Sequence, residues 1–210
     1  MAIGLRTNVY KPLPESELTA AVMEIDPTAG GEIGEVAQPT SGTVACTIKR
    51  WGPLFRLDFT LAAARISVTD GGGSGSHGSL KIFDFAQQAI SFLGSRQDYT
   101  AFAEGAALTT AAGDAVFEIG VGTTAIAAAA DGTLGNGVNE NVGQAVSVTN
   151  SGGTGTGTAV DGAKTTALNG TATALDLHLN WSGTAATIDA NSTIDVTGTI
   201  SVIGLFMGDD

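Results

Sequence analysis

The sequence predicts an all-β protein: a β-sandwich or barrel-like domain of short antiparallel strands with an extended N-terminal segment. Several segments alternate apolar and polar residues, which is the period of a strand that buries one face. Glycine occurs 30 times in the 210 residues, and runs of Gly, Ser, Thr and Asn separate the alternating segments, as turns do in sandwiches and barrels. A chain of this length can bury a core without disulfides or metal.

Residues 1–42 differ in character from the remainder and contain four of the five prolines. We therefore divide the chain into an extended N-terminal arm, 1–42, and a β-rich domain, 43–210. Leu18, Ala21, Val22 and Ile25 follow the spacing of one short amphipathic helix, which Ser16 would cap. The arm either lies on a neighbouring subunit or leads into the core along the surface.

The strand signals begin at residue 43. Val44, Cys46 and Ile48 share one face of the first alternating run, and the next run, 54–61, has an apolar face against a polar one. A Gly/Ser loop is predicted at 70–79, and a single helical turn at 86–92 is the alternative to a strand there. The predicted strands of this half cover residues 43–49, 54–61, 65–69, 80–85, 89–93 and 99–103.

The C-terminal half contains the two clearest strands, 175–181 and 193–207, each with one apolar face. Ile203, Leu205 and Met207 make the second face of the last strand apolar near its end, which indicates either double burial or an interface. Residues 125–130 are predicted as a small-residue strand or a turn, and 151–158 as a loop. Further strands are predicted at 115–121 and 145–149.

The charge is uneven along the chain, whose formal net charge is −12. Residues 101–210 contain one basic residue, Lys164, and eleven acidic ones. Phosphate would repel such a surface, so no nucleic-acid partner is expected. The first residues lack an apolar signal-peptide core, and no apolar run is long enough to span a bilayer, so no membrane partner is expected either. The lone cysteine, Cys46, is predicted to be a small core residue.

Few residues form a chemical motif. Residues 73–78 match G-x-G-x-x-G but precede a strand-like run, so the sequence predicts a hairpin connection there and no dinucleotide site. Asp176, His178 and Asn180 share one face of a predicted strand, but no second His or Glu completes a metal site, so we expect a surface-exposed polar face. His77 lies apart in the glycine loop. We predict no catalytic, cofactor-binding or metal-binding residues, and hence no enzyme.

Several segments together resemble a group of tailed-bacteriophage virion proteins, the capsid decoration (cement) proteins. The first block comprises residues 65–70 (RISVTD), 78–85 (GSLKIFDF) and 90–94 (ISFLG). The second comprises 169–181 (NGTATALDLHLNW), 196–200 (VTGTI) and the closing Gly-Asp at 208–209. The resemblance covers residues 60–210 and consists of strand and turn patterns.

The resemblance implies a structural protein that binds the outer surface of an assembled capsid and stabilises contacts between major coat protein subunits. It also implies a homotrimer, made in the host cytoplasm and located on the virion. We expect Leu18 and Val22 in the arm, and Ile203, Leu205 and Met207 in the last strand, to form the protein interface. Two alternatives are a head-fibre or tail protein that binds a glycan receptor and a β-fold glycan-active enzyme.

Overall fold

The computed structural model confirms the all-β fold class. It describes residues 23–25, 33–72, 75–104, 115–128, 134, 139–150, 157–161, 167–183 and 190–208. These residues form twelve strands with no α-helix, and every strand pair is antiparallel. The strands are β1 (Met23–Ile25), β2 (Gly34–Val36), β3 (Thr43–Trp51), β4 (Leu54–Asp70), β5 (Ser76–Phe85), β6 (Ala89–Glu104), β7 (Ala115–Gly122), β8 (Gly143–Asn150), β9 (Gly157–Asp161), β10 (Ala167–Asn169), β11 (Asp176–Gly183) and β12 (Ser192–Gly208).

The strands form one connected sheet that curls into a half-barrel. Its main path runs β10-β6-β12-β4-β5-β11-β7-β8, while β1, β2, β3 and β9 pair beside that path. The curl brings β6 and β7 together although four strands separate them in this order: the Phe102 and Phe117 ring centroids are 5.1 Å apart. Where the curl closes, the Gln97 side-chain amide of β6 donates to the Gln144 carbonyl of β8 at 2.8 Å.

Aromatic side chains fill the inside of the curl. All eight phenylalanines of the chain are buried, together with Tyr99 and Trp181. Phe59 of β4 meets Phe83 of β5 at 5.9 Å, and Phe85 meets Phe92 of β6 at 5.9 Å. Aromatic pairs at these separations are favourable beyond the area they bury. The alternating residues of β3, β4 and β12 supply about half of the aliphatic core, on the faces that the sequence predicts.

The long strand β4 joins two runs that the sequence predicts as separate strands, 54–61 and 65–69. A β-bulge connects them, because Val196 pairs with Ala64 and Gly198 pairs with Leu61, which leaves one extra residue on β4. Ala63 takes the left-handed conformation at φ 50°, and its N–H donates to the Thr197 hydroxyl at 3.1 Å. Before the bulge the buried residues of β4 have odd numbers, and after it they have even numbers. The apolar residues of both runs therefore face the core.

The strand β6 joins two runs that the sequence predicts as separate strands, 89–93 and 99–103, and it excludes the helical turn that was the alternative at 86–92. Two further bulges lie in this strand. Its pairing with β12 skips Leu93 and Thr100. The buried face therefore passes from Ile90 and Phe92 to residues 95, 97 and 99, and then to Phe102. Four of the predicted short strands are thus parts of two long strands, of 17 and 16 residues.

Two short parts of the N-terminal segment belong to the sheet. Met23–Ile25 forms β1 along β3, so the helix predicted to include Ile25 is wrong at that residue; Leu18, Ala21 and Val22 lie outside the described residues. Ile33 is fully buried in the core, and β2 pairs with β5. The Gln38 side-chain amide binds both the N–H and the carbonyl of Val44, at 3.2 and 2.7 Å.

Three loop predictions need correction. Asp70 ends β4 and residues 76–79 begin β5, although all of them are predicted to lie in the Gly/Ser loop 70–79. Gly157 and Thr158, predicted to lie in a loop, begin β9, which pairs with β6. Residues 125–128 form no strand and lie in the connection from β7 to β8, so the strand alternative is wrong for them. The rest of both predicted segments, 129–130 and 151–156, lies outside the described residues.

The β7–β8 connection covers the outer face of β11. Asn180 points into it and is fully buried. Its amide nitrogen donates to the carbonyls of Thr124 and Asn139, at 2.9 and 2.8 Å, and its oxygen accepts the N–H of Ile126 at 3.0 Å. Asn180 is therefore the side chain that satisfies this connection's backbone groups, and the surface-exposed polar face predicted for it is wrong.

We expect Ala63→Val to lower the free energy of unfolding by about 1–2 kcal/mol, because a β-branched residue is poorly accommodated at positive φ. Ala62→Val is the matched control: Ala62 is equally exposed on the same strand, without positive φ. Urea unfolding measures both. Equal effects of the two substitutions would contradict the assigned bulge.

We expect Asn180→Asp to lower the free energy of unfolding by at least about 2–3 kcal/mol, because a carboxylate cannot donate to the two carbonyls and carries an unpaired charge into a buried site. Asn169→Asp is the control, since the exposed Asn169 oxygen only accepts, from the N–H and hydroxyl of Thr171. Thermal unfolding of both variants provides the comparison, and a stable Asn180→Asp protein would refute the role given to Asn180.

Candidate protein interface

The exposed large apolar side chains of the described residues are Trp51, Ile203 and Met207, with exposed fractions of 42, 37 and 58%. Leu54 and Leu205 lie between them and are partly exposed. We call these five residues the apolar outer patch. A cluster of this kind differs from the single exposed apolar residues that any surface carries.

Strand register places the members of the apolar outer patch side by side. Trp51 of β3 pairs with Leu54 of β4, and Leu54 pairs with Leu205 of β12. Directly opposed residues of neighbouring strands have Cβ atoms about 4.5–5.5 Å apart. Ile203 and Met207 flank Leu205 along the same face of β12, so the patch crosses three adjacent strands at one end of the sheet.

The opposite face of these strands makes the patch stiff. Phe55 and Phe206, which alternate with the patch residues, stack with ring centroids 4.5 Å apart in the core. The Arg50 guanidinium lies 5.4 Å from the Phe206 ring centroid, a cation–π contact at the rim of the core. A strand whose other face is packed in this way loses little backbone conformational entropy on binding.

A polar group adjoins the apolar outer patch on the same face. Asp58 accepts from Arg56 at 2.8 Å and from the Ser201 hydroxyl at 2.6 Å, and Lys49 lies 3.7 Å away. Partial burial alone would raise the pKa of Asp58, but the hydrogen bonds from Ser201 and Arg56 and the two positive charges outweigh it and lower that pKa. The carboxylate therefore remains charged and holds both cations beside the patch.

The structure brings together three of the five residues predicted for the interface: Ile203, Leu205 and Met207 lie in one surface cluster. Leu18 and Val22 lie outside the described residues. Sequence reasoning missed Trp51 and Leu54. The signal that could have found Trp51 is the alternation of β3. Val44, Cys46 and Ile48 have even numbers and are buried, so the odd-numbered Trp51 faces the other way.

The predicted polar face of β11 divides into two environments. Asn180 lies under the β7–β8 connection, whereas Asp176 takes part in a surface ion-pair group. Lys81 binds Asp84 at 3.1 Å and Asp176 at 3.5 Å, and these contacts raise the pKa of Lys81, the hydrogen bond to Asp84 most strongly. Asp176 and Asn180 therefore do not share one ligand site.

His178 lies between Ser79 and Asp176. The Ser79 hydroxyl is 3.2 Å from Nδ1, and the Asp176 carboxylate is 3.6 Å from Nε2. Burial lowers the pKa of His178 and outweighs the attraction of Asp176, while Lys81 lowers it further. Ser79 lies within β5 and lacks the sharp strand-to-helix turn that presents a hydrolase nucleophile.

The end of the glycine-rich segment and Cys46 are parts of the sheet and its core. The glycine-rich segment leads into β5, which is a strand as predicted; Gly73 lies outside the described residues. Cys46 is buried in the core as predicted, and its burial, with the nearby Asp58 charge, raises its pKa to about 12.

Among the described residues, no three His, Cys, Asp or Glu side chains are grouped to hold a metal ion. The absence of metal, cofactor and catalytic residues stays a prediction. Within the same parts of the chain, no helical segment has the length and hydropathy needed to cross a bilayer.

Comparison with known proteins returned no matching family model, curated protein or solved structure. The candidate interface is therefore argued from the geometry of the chain itself.

We expect the Cys46 thiol to react with a thiol reagent at pH 8 about a thousandfold more slowly in the native protein than in urea, because its raised pKa leaves very little thiolate. The control is a single-cysteine chain with Cys46→Ala and Ala45→Cys, which moves the thiol to the exposed face of the same strand. Equal native rates for the two chains would contradict the burial of Cys46.

Proposed function

We propose that this protein is a tailed-bacteriophage virion structural protein that binds the outer surface of the assembled capsid and stabilises contacts between major coat protein subunits. The apolar outer patch carries the proposal. It offers Trp51, Ile203 and Met207 to a partner from a face whose other side is packed with aromatic rings. A few residues carry most of the binding energy in protein interfaces, and tryptophan is enriched among them.

The sequence resemblance and the patch support different parts of the proposal. Residues 65–70, 78–85 and 90–94 lie in β4, β5 and β6, and the second block includes β11 and part of β12. These segments form the part of the sheet on which the resemblance rests. The five residues of the apolar outer patch lie outside these segments and provide the proposed contact surface.

A cementing role fits the physical chemistry of such a scaffold. A homotrimer would present three copies of the patch to a symmetric shell, and each contact would make the next effectively intramolecular. The proposed partners are the major coat protein and further copies of this chain, with no nucleic acid or membrane. The proposed place is the outer capsid surface, reached after synthesis in the host cytoplasm, and the role requires no enzyme activity.

One observation favours the alternative of a glycan-binding head-fibre or tail protein. Trp51 exposes 42% of its surface, and exposed indoles stack on sugar rings. Addition of a glycan ligand would then change Trp51 fluorescence in the isolated protein, whereas a cement protein would show no such change.

We expect the double variant Ile203→Asp/Met207→Asp to bind purified capsids at least about tenfold more weakly, equal to about 1.4 kcal/mol, because it places two charges in a contact that must lose its water. Co-sedimentation of the protein with shells of the phage that encodes it measures the affinity. Electron microscopy of the same particles locates the protein.

Ser67→Asp/Thr69→Asp is the matched control, because it adds the same two charges at exposed positions of β4. Ser67 is exposed on the same outer face of the sheet, near its opposite end, where it pairs with Thr193. The control should bind like the original protein. Unchanged binding of the double variant, or density inside the shell, would overturn the proposal.

A further inference from the structure

A serine, a histidine and an aspartate lie side by side on the outer face of β5 and β11. Strand register places Lys81 of β5 opposite His178 of β11. Ser79, two residues before Lys81, is therefore the diagonal neighbour of His178 on the same face. Asp176 shares that face because it lies two residues before His178 on β11. These side chains are separate from the apolar outer patch.

The contacts of His178 give its two ring nitrogens different roles. Nδ1 is 3.2 Å from the Ser79 hydroxyl oxygen, and Nε2 is 3.6 Å from one carboxylate oxygen of Asp176. The negative charge of Asp176 favours the tautomer with its proton on Nε2, which leaves Nδ1 to accept the hydrogen bond from Ser79. The other oxygen of Asp176 is 3.5 Å from the Lys81 ammonium, so the carboxylate is held from two sides.

The protonation state of His178 suits a base. Burial lowers the pKa of His178 more than Asp176 raises it, and the Lys81 charge lowers it as well. The imidazole is therefore neutral at pH 7, which is the form that can take a proton from a hydroxyl. A serine hydroxyl bound to a neutral imidazole, which a third group orients, has the arrangement of an activated nucleophile.

Solvent reaches this arrangement from the outer face of the sheet. Ser79 is partly exposed, and 13% of the His178 side-chain surface is exposed. Asn180, directly opposite Ser79, lies under the β7–β8 connection, which therefore borders the site on one side. Because Ser79 lies on a strand and not at a sharp turn, a substrate has to approach along this face. A small molecule meets that requirement.

We propose that Ser79 is a nucleophilic serine that accepts the acyl group of a small carboxylic ester, with His178 as its general base and Asp176 as a positioning residue. The Ser79 oxygen attacks the carbonyl carbon while its proton passes to Nδ1 of His178. The bond between the carbonyl carbon and the alcohol oxygen then breaks, and the departing alcohol takes the proton from His178. The product is an acyl ester on Ser79. The inference is independent of the capsid proposal.

A fluorophosphonate probe tests the full-length native protein, because it forms a P–O bond with an activated serine and releases fluoride. We expect labelling at Ser79, located by mass spectrometry of the digested protein, and its loss in urea. Ser79→Ala should abolish the labelling. Ser201→Ala is the matched control, since the Ser201 hydroxyl donates to the Asp58 carboxylate at 2.6 Å instead of to an imidazole. This control should be labelled like the original chain.

Two further substitutions separate the roles of the partners. His178→Gln should slow the labelling at least about a hundredfold, because a general base contributes that much or more. Labelling requires neutral His178, so its rate should rise with pH through the pKa of that residue. Asp176→Asn removes a charge that raises this pKa, so the midpoint of the pH profile should move to lower pH. A merely structural role of Asp176 would leave the midpoint in place.

Three results would overturn the inference. One is the absence of labelling in the native original chain, a measurement that needs no variant. The others are labelling that survives Ser79→Ala, and an unchanged rate in a His178→Gln chain that circular dichroism shows to be folded. Capsid co-sedimentation is a separate readout, so failure of the capsid proposal leaves this test unaffected.

Discussion

The fold depends on the aromatic side chains that meet inside the curl. β4 and β5 pair over only three residues, from Val68–Gly78 to Asp70–Ser76, and then diverge. Phe59 of β4 and Phe83 of β5 lie well beyond the three paired residues, and their rings are in contact across the gap between the two strands. The sheet curls so far that strands distant in its order come into contact, and the large rings between them hold its two halves together. Gly204 has no side chain, which leaves room for the Phe55 ring.

The outer face follows from the inner one. Once Ile200, Val202 and Phe206 of β12 are fixed in the core, the pleat directs the residues between them outward. On most of this face the outward residues are polar: Arg65, for example, binds Asp195 through two contacts of 2.7 Å. At the end near Trp51 they are apolar, although the core does not need them. Exposed apolar side chains that folding does not require are typical of a binding surface.

Alternation in the sequence was sufficient to assign the faces of residues 54–61 and 193–207, and it located Ile203, Leu205 and Met207 on one surface. It failed where the backbone changes parity, at Ala63, Leu93 and Thr100, because a bulge leaves no residue signature when its special position is not glycine. It also failed for Asn180, whose partners are backbone groups of a distant loop. The pairing of Trp51 with Leu54 depends on a hairpin register that is visible only in three dimensions.

The proposed function requires a patch that binds a shell firmly without making the free protein aggregate. A symmetric shell offers several equivalent contacts, and the gain from avidity can reach two to four orders of magnitude. Each single contact through the patch can therefore be weak, too weak to hold free copies of the protein together. The strongly acidic C-terminal half adds mutual repulsion between those copies, which acts in the same direction.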